Sequence, residues 1–273
     1  MSEDDVVDTP YETLLLDRPA PGVVVLTLNR PGRYNAMTNT MFDELEHVSH
    51  TLDADDGCRV VVLTGAGKGF CSGYDLADAE ELPTLGALGM LDQQERAARA
   101  LLAVRSMRAP VIAAVNGPAA GGGMSLALAA DLRLGSPTAV FTASFVRIGL
   151  SAGDLGASWL LTRLIGPART SDICFTGRSV DAEESARMGL LNRVVPAETL
   201  LEEAVALATA MVANSPGGVR LSKRALQANL EVGSFAAALE LENRGQALLT
   251  RGSDMPEALA AFKERRPPVF TGR

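Results

Sequence analysis

The chain has 273 residues, 47% of them hydrophobic and 4% aromatic, with 33 acidic against 25 basic side chains and a formal net charge of −8. That length buries a sizeable core as one α/β domain plus a helical appendage, and the acidic balance argues against general nucleic-acid affinity. Cys58, Cys71 and Cys174 form neither a disulfide framework nor a zinc pattern, and no apolar run is long enough for a membrane span.

Thr13 to Asp17 and Val23 to Leu28 read as paired strands joined by Pro-Ala-Pro-Gly. A helix follows from about Thr38 to Asp53, with Met41, Leu45, Val48 and Leu52 on one face. The strand Val60 to Leu63 leads through a glycine-rich loop to a helix from about Leu85 to Met107, then to the strand Val111 to Val115. A helix starts behind Gly121-Gly122-Gly123, another spans Ala157 to Leu164, and Leu190 to Val195 reads as a strand. The remainder is helical: Leu200 to Ala213, Pro216 to Glu231, Phe235 to Arg251 and Met255 to Glu264. Strand and helix alternation implies βα units, with a core over 1–198 and a helical region over 199–273 in one functional unit. The acidic start, Met1-Ser2-Glu3-Asp4-Asp5, lacks an apolar signal core, so a reduced, cytoplasmic setting is expected.

Two strand ends carry the chemistry. Val115-Asn116-Gly117-Pro118-Ala119-Ala120-Gly121-Gly122-Gly123 runs straight into an alanine-rich helix. Glycines admit close backbone approach, and the free amides of a first helical turn favour an oxygen gaining negative charge. Upstream, Gly65-Ala66-Gly67-Lys68-Gly69 precedes Phe70-Cys71-Ser72-Gly73-Tyr74-Asp75-Leu76 and offers a second set of amides. Its glycines miss the dinucleotide spacing and the P-loop pattern. Taken singly, each loop also reads as a tight strand-to-helix turn.

With Leu28-Asn29-Arg30-Pro31, Asn35-Ala36, Ala130-Asp131-Leu132-Arg133 and the ending Phe262 to Phe270, these motifs resemble the crotonase superfamily, the enoyl-CoA hydratase/isomerase family. The resemblance implies an α/β fold, a crotonase-like spiral of ββα units with a C-terminal helical trimerisation region, and hence a homotrimer or homohexamer. It also implies an enzyme, a lyase or isomerase, acting on an acyl-CoA thioester. Coenzyme A enters as part of the substrate, and no permanently bound cofactor or metal is expected. Carried over by motif, the amides of Ser72 and Gly122 hold the thioester oxygen as an enolate develops. Such preorganised donors contribute roughly 3–4 kcal/mol each.

The resemblance further assigns substrate contacts to Arg33, Ala36, Lys68, Gly73, Tyr74, Asp75, Phe145 and Lys263. Cationic Arg33, Lys68 and Lys263, together with Arg30, Arg265 and Arg266, suit CoA phosphates, and equally suit solvation. Asp75 reads either as a ligand contact or as the cap of a short helix at Leu76. Hydratases of the family carry two glutamates where this chain has Ser125 and Phe145, and neither of these is a base near neutral pH. Two-glutamate hydration is therefore not expected. Asp154, before the helix at Ala157, is the replacement acid or base, or else an N-cap. His47 and His50 are the only histidines, and a Ser-His-Asp relay through them is not expected. A noncatalytic acyl-CoA-binding protein, a thioesterase and a dehalogenase are the alternatives on this scaffold.

Overall fold

A computed structural model describes residues 11–273, and the acidic start at 1–5 lies outside them. Nine strands are present among the described residues: β1 (Leu14–Ala20), β2 (Val23–Leu28), β3 (Val60–Gly65), β4 (Val111–Val115), β5 (Pro118–Ala120), β6 (Leu132–Gly135), β7 (Val140–Thr142), β8 (Ser179–Asp181) and β9 (Arg193–Val194). The helices of the core are α1 (Asn39–Ala54), α2 (Leu76–Ala79), α3 (Ala87–Ser106), α4 (Gly122–Ala129), α5 (Ala157–Ile165), α6 (Pro167–Thr176) and α7 (Ala182–Met188). Four more follow: α8 (Leu200–Val212), α9 (Pro216–Asn229), α10 (Phe235–Leu249) and α11 (Asp254–Glu264).

The main sheet runs β1-β2-β3-β4-β6-β9, antiparallel only between β1 and β2. Both of its faces are covered, which is why β3 and β4 read as unbroken apolar runs rather than alternating ones. On one face Val24, Leu26, Leu28, Val61 and Leu63 pack in the larger core with Met41, Leu45 and Val48 of α1. On the other, Val23, Val25, Val60, Val62 and Ile112 meet Leu200, Ala204 and Ala208 of α8. The two-residue period of a strand sorts these sets automatically. Thr38 starts α1, its Oγ1 accepting from the Met41 amide at 3.2 Å.

Three features depart from the sequence reading. A second sheet, β5-β7-β8, consists of three-residue strands, too short to show alternation. The helix at Ala157 is followed at once by α6, whose Pro167 occupies the first turn, where its missing N–H costs nothing. The strand expected over Leu190 to Val195 shrinks to Arg193–Val194. Leu190 and Leu191 instead bury their side chains and donate their amides to the Ser185 carbonyl, closing α7.

The helices after α8 have little buried surface of their own. Helix α9 is pinned to the core by Lys223, whose Nζ donates to the Ala109 carbonyl at 2.9 Å and meets Asp131 Oδ2 at 2.8 Å. Gln227 adds Nε2 contacts to the Arg105 carbonyl and Asp131 Oδ1. Burial pulls the Lys223 pKa down, opposed by Asp131. Helix α10 has no buried residue, and Leu226, Phe235, Leu248 and Phe262 are all exposed. No helix among the described residues is long and apolar enough to cross a membrane. Removing Lys223 takes the donor from the Ala109 carbonyl and the cation from half-buried Asp131, which keeps the Val111 amide, so Lys223→Ala is expected to lower the unfolding free energy by about 2 kcal/mol, measured by urea titration.

Candidate active site

Parallel pairing of β3 with β4 sets their C-terminal ends side by side, so the two glycine loops emerge together. Two asparagines hold the first loop in place. Asn35, fully buried, accepts from the Arg30 amide at 2.8 Å and donates Nδ2 to the carbonyls of Ala66 and Gly69, each at 2.9 Å, and of Phe70 at 3.2 Å. Asn116 accepts from the Gly65 amide at 3.2 Å and donates to the carbonyls of Gly67 at 3.0 Å and Gly69 at 3.2 Å. Asn35 and Asn116 are motif positions whose bracing task the sequence reading did not assign.

The loops then cross. A Cβ on Gly123 would overlap the Cys71 carbonyl, so only glycine lets these backbones touch. Gly73, at φ +98, lies against the Ala120 carbonyl, and its Cβ position is 3.5 Å from the Gly122 nitrogen. Met37 and Tyr74 form a parallel bridge in which the Met37 amide donates to the Gly73 carbonyl and the Asp75 amide to the Met37 carbonyl. That pattern turns the Tyr74 amide to the opposite side. It has no acceptor among the described residues, and neither has the Gly122 amide, the first of α4.

The Ser72 amide is differently placed. It donates to the Tyr34 carbonyl at 3.0 Å, and the Ser72 hydroxyl points to the Arg33 carbonyl at 3.3 Å. The Ser72 amide is thus already committed, whereas that of Tyr74, two residues on, is open. Motif position alone cannot show this, because it depends on which carbonyl the neighbouring segment presents.

Ser125 is fully buried with Oγ 3.4 Å from the Gly121 carbonyl, and Phe145 lies in a 3-10 turn with its ring beside Gly121. Asp154 does not cap α5: the capping position is Gly156, with no side-chain bond. The Asp154 carboxylate has no ion-pair partner among the described residues, and the nearby Leu155 amide only partly offsets its burial. Burial pushes its pKa up. Leu155 has φ +47, a rare conformation for a branched side chain, and its Cδ1 is 3.1 Å from where a Gly122 Cβ would stand. The residue after Asp154 thus touches the face of Gly122.

Asp75 is a bracing group. Its Oδ1 accepts from Ala77 at 3.1 Å, capping α2, and Oδ2 meets Arg30 at 2.8 Å, which with burial countering holds its pKa below the usual carboxylate value. Arg30 also donates to the carbonyl of Ala36, itself buried, so Arg30 is committed. Arg266 is likewise taken, by Glu257 and Glu264. Arg33 and Lys68 are exposed on the glycine-loop side, without ion pairs among the described residues. Lys263 is exposed on α11, whose Asp254 end is tied to Ser215. No described contact joins it to the other two. His47 Nδ1 bonds the Tyr11 phenol at 2.9 Å rather than a serine.

The chain is similar to known proteins over most of its length. The enoyl-CoA hydratase/isomerase family model matches residues 19–273. A protein of Mycobacterium tuberculosis (strain ATCC 25618 / H37Rv) named as a probable enoyl-CoA hydratase is 43% identical over 265 residues, covering 94% of this chain and 92% of its own. The 1,2-epoxyphenylacetyl-CoA isomerase of Escherichia coli K12 is 36% identical over 260 residues, covering 95% and 98%. Among solved structures, an enoyl-CoA hydratase from Bacillus anthracis superposes with a TM-score of 0.90 at 32% identity, covering 96% of this chain and all of its own (100%). A monofunctional enoyl-CoA isomerase from M. smegmatis gives 0.72 at 41% identity, covering 83% and 98%.

The Asp154 environment has a thermodynamic signature. Its folded pKa lies above the unfolded value, so the proton's stabilising effect is fully present below the unfolded pKa and lost as pH rises through the folded one. Asp154→Asn is therefore expected to raise the melting temperature at neutral pH, with the gain shrinking in acid. Thermal melts at the two pH values check this, and a loss of stability would mean that the carboxylate makes a bond worth keeping.

Proposed function

Because the chain belongs to the enoyl-CoA hydratase/isomerase family, we propose that it moves a proton within an acyl-CoA thioester whose carbonyl oxygen is held by the amides of Tyr74 and Gly122. The observation that carries this reading is the pair of unpartnered amides brought together where Gly73 passes Gly122. Hydrogen bonds to that oxygen strengthen as it gains enolate charge, so they lower the barrier rather than only tightening binding.

Asp154 is the acid and base of the proposal. Its carboxylate takes a proton from an acyl carbon beside the double bond or thioester, the electron pair delocalises onto the thioester oxygen, and the same proton returns to another carbon of the chain. The double bond shifts, Asp154 is restored, and neither water nor a further cofactor is consumed. A carboxyl with a raised pKa suits both halves of that exchange. Hydration asks more, because a water must be oriented as well, and at the positions of the family's two glutamates stand Ser125 and Phe145. Isomerisation is accordingly favoured over hydration.

Arg33 and Lys68 are the proposed contacts for CoA phosphates from within the chain. The exposed apolar side chains of α9, α10 and α11 support assembly into trimers, in which Lys263 reaches the CoA of a neighbouring subunit. In that arrangement the helical region from 199 onward remains part of one unit with the core, since α8 already covers the second face of the sheet.

Gly122 is the first residue of α4, where proline removes one N–H without breaking a helical bond. A Cβ here would stand 2.6 Å from Met37 Cε, so Gly122→Pro is first checked for folding by circular dichroism, and in the folded variant kcat is expected to fall by about 10²–10³, the effect of losing one oxyanion donor. Asp154→Asn is expected to abolish turnover while retaining acyl-CoA binding. Mass spectrometry of products from enoyl-, dienoyl- and 3-hydroxyacyl-CoA panels, with binding measured in parallel, checks both. Tight binding without turnover across the panel would instead assign a noncatalytic acyl-CoA-binding protein.

A further inference from the structure

Beside Tyr74 lies a cleft of about 270 Å³, with Leu82 and Leu85 on its apolar side. Tyr74 joins it to the proposed oxyanion site, since its amide belongs to the one and its side chain lines the other. The ring is held by stacking on buried Phe42, with centroids 5.9 Å apart and planes 15° from parallel. Three polar side chains meet there. Asn39 Oδ1 accepts from Gln93 Nε2 at 2.6 Å and from the Tyr74 hydroxyl at 3.3 Å, and Gln93 Nε2 reaches the Tyr74 oxygen at 3.2 Å.

Counting donors and acceptors shows what is left over. Asn39 Nδ2 and Gln93 Oε1 have no partner among the described residues, and neither is shut away from solvent, so one donor group, with two N–H bonds, and one acceptor oxygen stay open beside the cleft. Burial, then nearby Asp78, raises the Tyr74 pKa, so the phenol stays a neutral hydrogen-bonding group. The walls carry Asp78, Glu81 and Asp92, none ion-paired among the described residues, while the cleft's Arg96 is paired with Asp43 at 3.2 Å.

We propose that the Asn39, Tyr74 and Gln93 cleft selects acyl groups bearing an uncharged hydrogen-bonding substituent, such as a hydroxyl, and rejects those ending in a carboxylate. The inference rests on the acyl-CoA reading, because it takes the thioester carbonyl to sit at the Tyr74 amide. A hydroxyl both donates and accepts, matching Gln93 Oε1 and Asn39 Nδ2. A plain alkyl tail would cover these groups and leave them unpaired. A carboxylate would meet three like charges against one cation, Arg96, whose Nε is already paired with Asp43.

The test is calorimetric binding of non-reacting saturated acyl-CoAs in matched series over short and medium chain lengths: unsubstituted, hydroxylated, carboxylated and aminated at the chain end. The hydroxylated member is expected to bind about fivefold more tightly than its alkyl match, the effect of one net hydrogen bond, and the carboxylated member about tenfold more weakly than that match. Gln93→Leu should abolish the hydroxyl preference, and Asp92→Asn with Glu81→Gln should narrow the carboxylate penalty. These are ratios within one variant, so a general loss of folded protein cancels. Equal binding of all tails, an unchanged ranking in Gln93→Leu, or preference for the aminated chain would overturn the proposal while the acyl-CoA reading stood. Failure of every acyl-CoA to bind would overturn both.

Discussion

The Asn35 side chain is the constraint on which the site depends. Its amide group joins four backbone groups from two separate segments, the turn after β2 and the loop after β3, and the carbonyls of Gly69 and Phe70 among them are buried with it. Each buried carbonyl left without a donor would cost about 1–3 kcal/mol, so the loop has no inexpensive alternative conformation. Asn116 repeats the device from the β4 side. Between them the two side chains tie the first glycine loop to the turn after β2 and to the end of β4. Only a rigid loop can hold amides aimed at an oxygen that acquires its charge transiently.

Using the backbone as the donor has a consequence for chemistry and for sequence. An amide is present whatever side chain follows, so the Tyr74 ring is free for another task without disturbing the donor. In this chain the ring turns toward Asn39 and Gln93, joining the two halves of the site through one residue. In the proposed site the dependence on the substrate's thioester end and on its acyl end is thereby separable: one lies in main-chain geometry, the other in side chains of α1 and α3.

Much of this was legible in the sequence because it rests on local rules. The strand and helix order of the core follows from apolar periodicity, the glycine loops from their composition, and α1 begins beside its threonine cap. What escaped was set by partners distant in sequence. The Ser72 amide looked available until Tyr34 presented its carbonyl, and Arg30 looked like a free cation until Asp75 occupied it. Asp154 read as either a cap or an acid, and Gly156 takes the capping position instead. The three-residue strands carry too few side chains for a period to show.

Strain in this fold is concentrated where the chemistry is proposed. Among the described residues, the non-glycine positions with positive φ are Tyr34, Asn35, Leu155 and Arg265. Tyr34 supplies the carbonyl that takes up the Ser72 amide, Asn35 braces the first loop, and Leu155 touches Gly122 one residue after Asp154. Each such conformation costs about 1–3 kcal/mol and persists only where its surroundings over-determine it. Asp154 adds a desolvated carboxylate to the same region. The well-packed faces of the main sheet supply the stability that lets this corner hold a strained leucine and a poorly solvated acid, and in the proposed reaction that burial makes Asp154 a stronger proton acceptor than a solvated aspartate.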